Sequence, residues 1–241
     1  MPRHCSILES SHRLIAMAFE LTNTVPWGRT LEEYTNMFAL SDPDLDKRII
    51  SFGDGPANFN FEMTKQGRSV ISIDPIYQYT KEVLVQRIAE TKDMVMQQMK
   101  INQDNFIWTS IKNVSELEKI RMGAMSYFLE DFELGKIQER YVPHELPERT
   151  DFDNQVFDLG LSSHFLILYS KLGLDFHIRS ITEMLRICKE VRIFPLLNLN
   201  AMPSEVLPSI MDAFGKDFDL RIQTVNYEFQ KGGNKMLIIQ H

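Results

Sequence analysis

One segment constrains this chain more than any other: IISFGDGPANFNFEMTKQGRSVISIDP, residues 49–75. The apolar run Arg48 to Gly53 predicts a strand, and Ser69 to Asp74 predicts a second. Between them, Ala57 to Gln66 reads as a short helix that stops at Gly67. The first strand runs straight into Gly53-Asp54-Gly55-Pro56. Glycine tolerates the positive φ of so tight a turn, and it lets another molecule approach the backbone. The helix that follows offers free N–H groups at its start. Asp74 then closes the second strand, where a carboxylate can accept hydrogen bonds from both hydroxyls of a ribose. Strand, turn, helix, strand and acid make a nucleoside-binding half-site. The turn alone would fit an unliganded connection equally well; the acid tips the balance.

The second half of the chain alternates short apolar runs with helical patterns, as a parallel sheet wrapped by helices does. A third strand is expected at Glu139 to Val142, a fourth at Val156 to Ser162 and a fifth at Glu190 to Leu197. Phe176, Ile181, Leu185 and Cys188 share one face of the helix before the fifth strand. Residues 219–229 and 235–240 flank Gly232-Gly233, which predicts a hairpin and an antiparallel strand in an otherwise parallel sheet. Two helical regions lie outside this alternation. Residues 6–40 hold an amphipathic run and then a helix starting at Leu31, where Thr30 and Glu33 have capping-box spacing. Residues 80–133 read as a helix over Thr80 to Met99, a link through Phe106 and Trp108, and a second helix. In that second helix, Ser115 and Glu118 have capping-box spacing, and Leu117, Ala124, Phe128 and Phe132 share a face. These regions either cap the site end of the sheet or pack its flanks. The whole, 1–241, reads as a single α/β domain with an N-terminal helical extension (1–45) and a helical insertion (80–133).

The nucleoside can be narrowed by elimination. A dinucleotide site wants G-x-G-x-x-G, and Asn58 stands at the third glycine. The sequence contains no GxxxxGK[ST] phosphate loop. The common ligand left for such a half-site is S-adenosylmethionine, an adenosine without phosphate.

With these elements in place the sequence resembles the class I, Rossmann-like S-adenosylmethionine-dependent methyltransferases, from about Arg48 onward. IISFGDGPANF looks like the glycine-rich first motif, SVISIDP like the second strand with its ribose acid, VFDLGLSSHFL like the fourth-strand motif, and SITEMLRICKEVRIFPLL like the helix and fifth strand. The resemblance implies a three-layer sandwich with a seven-stranded, mainly parallel sheet whose antiparallel strand comes from the terminal hairpin. It also implies S-adenosyl-L-methionine as cofactor, held by Gly53, Asp54, Gly55, Asp74 and Pro75. Three departures stand out. Ser51 occupies the place of the family's usual first-strand acid. Ala57 stands where a third glycine is frequent. Asp54 is unusual at its position; it either answers the cofactor's ammonium in place of the missing acid or is a solvated turn residue.

Other site residues carry two readings each. Ile76 and Tyr77 cover the adenine face or pack the loop. His144 and Glu145 follow the third strand, where such folds contact the adenine edge. Ser162 ends the fourth strand. His164, two residues on, is a general base or a hydrogen-bonded structural histidine. Arg29 meets the methionine carboxylate as a charge-assisted pair or is solvated. At Gly55 a side chain is expected to occlude ligand without much strain; at Gly53, to do both.

Composition bounds the class. Asp and Glu outnumber Lys and Arg by 33 to 26, a net charge of −7, and no dense basic face is visible for nucleic acid. Two cysteines, Cys5 and Cys188, give no disulfide framework and no metal motif. The chain shows no secretory pattern and no run of about 20 apolar residues. The expectation is a cytoplasmic enzyme that methylates a small molecule. The alternative is an inactive methyltransferase-like module that binds the cofactor or its product and acts through a partner. An NAD(P) oxidoreductase is disfavoured by Asn58 and the hairpin.

Overall fold

The computed structural model describes residues 26–241. The expected amphipathic run before residue 26 and Cys5 lie outside the described residues. Seven strands form one sheet: β1 (Ile49–Phe52), β2 (Val70–Ile73), β3 (Tyr141–Val142), β4 (Phe157–Ser163), β5 (Cys188–Phe194), β6 (Asp219–Thr224) and β7 (Lys235–Gln240). Their order is β3-β2-β1-β4-β5-β7-β6. The first five pair in parallel. β7 inserts antiparallel between β5 and β6, as the hairpin requires.

The buried strands are apolar on both faces, so each strand feeds two cores in alternation. Ile50, Phe52, Val191, Ile193, Leu237 and Ile239 face one core, closed by helices α6 (Leu174–Ile187) and α7 (Leu207–Phe214). Ile49, Leu159, Leu161, Met236 and Ile238 face the other, closed by α1 (Leu31–Met37) and α3 (Phe59–Lys65). A short α2 (Asp42–Leu45) leads into β1. The insertion forms α4 (Lys81–Ile101) and α5 (Val114–Ile137). It builds a third cluster, in which Phe128 and Phe132 pack on Tyr77 and Tyr141.

The capping box at Thr30 and Glu33 is present with both of its bonds. The one expected at Ser115 is not. Asn113 caps α5 instead, accepting from Glu116 N, while Lys112 N donates to Glu116 Oε2 at 2.6 Å. The same three-residue spacing exists two positions earlier, with asparagine as the cap. Cys188 is buried as expected, but it opens β5 rather than riding on the helix face. Extended backbone at Cys188 ends α6 there.

Candidate active site

The glycine turn is built as its sequence asks. Gly53 and Gly55 both have positive φ, +64° and +56°. A Cβ at Gly53 would meet the Phe165 ring at 2.7 Å, whereas one at Gly55 would meet nothing within 4 Å. Gly55 therefore borders open space, and its φ adds backbone strain to the occlusion expected there. A side chain there is strained whatever room it has.

Asp74 is tied to this turn. Its carboxylate accepts from Gly55 N and from Ile76 N, each at 2.9 Å. Burial pushes its pKa up to about 6, against the pull of these two N–H groups. Pro75 follows as the first residue of a 3-10 turn, Pro75–Gln78, which Asp74 caps. Tyr77 donates its hydroxyl to Gly55 O at 2.7 Å and is wholly buried against Phe128, Phe132 and Tyr141. It braces the turn from behind, as the loop-packing reading has it. Ile76 is buried in the same cluster.

Asp54 is not a solvated turn residue. It is buried, and its carboxylate accepts from Ser51 Oγ at 2.5 Å, from Ser72 Oγ at 2.6 Å and from the Tyr34 hydroxyl. Burial raises its pKa, and the three hydroxyls oppose that rise. The missing first-strand acid and the extra turn acid thus belong together. The carboxylate offered from position 54 sits on the hydroxyl of position 51, and Tyr34 ties both to α1.

Asn58, which breaks the dinucleotide pattern, has a task of its own. Its N–H donates to Arg29 O at 3.0 Å, and its Oδ1 accepts from Leu31 N at 3.1 Å. It pins the Arg29 segment beside the turn. The Arg29 guanidinium forms no ion pair among the described residues, and its buried Nε has no hydrogen-bond partner. Burial lowers its pKa, and the neighbouring Arg121 charge lowers it further.

β4 supplies the opposite wall. Ser162 lies beside Phe52 at the end of β1, wholly buried, with an unpartnered Oγ. His164 has φ +52°, donates its N–H to Phe194 O at 2.6 Å and sets Nδ1 3.0 Å from Ser163 Oγ. Burial, then the charges of Arg29 and Arg121, hold its pKa well below the usual value, so its ring is neutral at pH 7. Tyr169, in the 3-10 stretch Ile167–Leu172, lies within electrostatic reach of both Arg29 and Asp74. His144 and Glu145 follow Val142, whose carbonyl accepts from Asp74 N at 3.3 Å; His144 bonds Glu148 O at 2.9 Å, and Glu145 is exposed. Tyr34, Ser72 and Tyr169 reach the site without any local signal in the sequence. Only the paired chain ends of strands and cap bring them there.

The strand order, with its antiparallel seventh strand and the glycine turn at the end of β1, is that of a class I methyltransferase fold. The chain belongs to the family of the uncharacterized protein MJ0045 of Methanocaldococcus jannaschii, with 36% identity over 222 residues, 91% of this chain and 97% of that protein. No protein-family model matches the chain. Among solved structures it is similar to magnesium protoporphyrin IX methyltransferase from Synechocystis with bound SAM, at 9% identity and TM-score 0.46, covering 100% of this chain and 86% of that one. It is also similar to the bifunctional kinase-methyltransferase WbdD, at 10% identity and TM-score 0.46, covering 87% of this chain and spanning 38% of that protein. At such distances these likenesses carry no argument about chemistry. Among the described residues no helix is long and apolar enough to cross a membrane, and no cluster of His, Cys, Asp or Glu could hold a metal.

Proposed function

We propose that this chain is an S-adenosylmethionine-dependent methyltransferase with a small-molecule acceptor. The observation that carries it is a site with unmet needs at two ends. The Gly55 turn borders open space beside a half-buried acid, Asp74, while the half-buried Arg29 forms no ion pair among the described residues and Ser162 is a buried hydroxyl without a hydrogen-bond partner among them. Buried polar atoms normally find partners, and orphans at one locus point to a ligand. An adenosine whose ribose meets Asp74 and whose amino-acid carboxylate meets Arg29 satisfies both ends. The residues fit this cofactor. When bound, it supplies a methyl group on a positively charged sulfur.

The chain's own part is placement and proton handling. Methyl transfer depends on aligning acceptor, methyl and sulfur, and the rigid ends of β1 and β4 frame that line. His164 is neutral, and its Nε2 makes no hydrogen bond among the described residues. It can take the proton that an O–H, N–H or S–H acceptor must release. The excess of acidic residues supports a small molecule over nucleic acid. Titration calorimetry with S-adenosylhomocysteine tests the cofactor, and its release from S-adenosylmethionine on an acceptor panel tests turnover. No binding in wild type refutes the proposal. Binding without turnover on a broad panel favours the second reading, an inactive binding module, which Ser51 in the first strand motivates.

A further inference from the structure

Arg121 takes no part in that chemistry, yet it is the largest wholly buried side chain among the described residues. It projects from α5 and forks onto Glu33 of α1, with Nη1–Oε2 2.5 Å and Nη2–Oε1 2.6 Å, and it also donates to Gly28 O at 3.2 Å. Trp27 lies against its guanidinium, 5.3 Å from ring centre to Cζ. Glu33 has still more donors. Thr30 N approaches at 3.0 Å, the Tyr227 hydroxyl at 2.8 Å and the Thr30 hydroxyl at 3.4 Å. A carboxylate offers about four lone-pair sites, so Glu33 is saturated. Burial alone would raise its pKa; Arg121 outweighs that and holds it at about 2, an anion at any working pH.

A wholly buried guanidinium, Arg121, and a half-buried one, Arg29, therefore share this locus with one carboxylate. Arg29 is adjacent in sequence to Thr30, whose N–H Glu33 already accepts. Arg29 is nevertheless left without an ion pair among the described residues. A half-buried charge with no ion-pair partner takes an opposite charge when one arrives.

We infer that Arg121 withholds Glu33 from a direct ion pair with Arg29, so that the Arg29 guanidinium stays open to the carboxylate at the amino-acid end of the cofactor. This rests on the cofactor reading above and assigns Arg121 as a positioning residue. Arg121 itself has no exposed surface and acts through Glu33. Arg121→Gln releases Glu33, which then pairs with Arg29 and competes with the incoming carboxylate. Removing the Glu33 charge as well gives Arg29 back to the ligand.

The test compares S-adenosylhomocysteine with its decarboxylated analogue, which keeps the adenosine and the ammonium. Wild type is expected to prefer the carboxylate-bearing ligand by roughly tenfold or more, as for a charge-assisted hydrogen bond, and Arg29→Gln to lose that preference. Arg121→Gln should lose it too, with affinity for the decarboxylated analogue unchanged, which also shows that the site is folded. The double variant Glu33→Gln/Arg121→Gln should recover it. Should Arg121→Gln fail to fold, Arg121→Lys, which keeps the charge but not the fork, carries the test through a reduced preference. A folded Arg121 variant with the full preference, or a double variant without recovery, overturns the inference alone. A wild type that binds neither ligand overturns the cofactor reading and the inference with it.

Discussion

The contrast between Gly53 and Gly55 gives a prediction whose size follows from the structure. Alanine at either position must adopt a left-handed backbone, at a cost of about 1–2 kcal/mol. At Gly55 nothing further opposes it, because the new Cβ meets nothing within 4 Å. At Gly53 the Cβ would lie 2.7 Å, 2.8 Å and 3.0 Å from Phe165 Cδ1, Cγ and Cβ. The ring can swing, but its own Cβ moves only with the backbone, so overpacking adds about 1–3 kcal/mol. For a chain of this size each kcal/mol lowers Tm by about 2–4 °C. Empty Gly55→Ala should therefore melt about 2–8 °C below wild type, and empty Gly53→Ala about 4–20 °C below. Ligand reverses the ranking of interest. S-adenosylhomocysteine at a hundredfold excess over Kd stabilises wild type by about 2.7 kcal/mol. Gly55→Ala should lose most of that rise, since its methyl enters the space assigned to ligand. Scanning calorimetry with and without ligand reads both effects. Equal melting of the two empty variants would refute the packing argument. A full ligand-dependent rise in Gly55→Ala would refute the assignment of that space.

Four further outcomes follow from the same turn. Asp74→Ala should weaken S-adenosylhomocysteine binding by about 1–3 kcal/mol, read by calorimetric titration, with Asp74→Asn recovering part. Because burial raises the folded pKa of Asp74 from the usual 3.8 to about 6, the native state holds this proton more tightly than the unfolded chain. Its ionisation thus costs stability as pH rises from about 4 to about 6. Asp74→Asn should flatten that part of the Tm–pH curve, and an unchanged slope would sink the assignment. Asp54→Ser should destabilise by about 1–3 kcal/mol through hydroxyls left unmatched. Adding Ser51→Asp should restore much of that loss, because a carboxylate from position 51 reaches the same hydroxyls; denaturant titration of the single and double variants decides it. Tyr77→Phe, which frees Gly55 O, should cost about 0.5–1.5 kcal/mol by the same titration.

The sheet was legible because its signals are local. β1, β2, β4 and β7 fall within a residue or so of the apolar runs that announce them, and the Gly232-Gly233 turn places β7 antiparallel. Asp74 was legible for the same reason, since strand, turn and helix fix its distance from Gly55. One helix start moved where two signals compete at equal spacing, between Asn113-Glu116 and Ser115-Glu118. The buried charge cluster had no such signal. Arg121 lies 88 residues from Glu33, and Tyr227 lies 194 residues from it. Only the docking of α5 and the β6–β7 connection on α1 brings them together. Asp54 was visible but ambiguous, because its partners Tyr34 and Ser72 come from the cap and from β2.

The insertion of β7 between β5 and β6 has a consequence for synthesis. Until residues 219–240 have emerged from the ribosome, β5 has an open edge along Glu190 to Ile193, with Val191 and Ile193 on one face and the charged Glu190 and Arg192 on the other. Such an edge is a template for pairing with other chains. The same late segment carries Phe229, whose carbonyl accepts from Ile107 N at 2.7 Å, and Tyr227, which reaches Glu33. The cap over the turn is therefore fastened only when the hairpin arrives. A nascent chain paused before Asp219 holds the glycine turn and Asp74, but its sheet is unsealed and its cap unlatched, and that is the stage at which a chaperone would find most to hold.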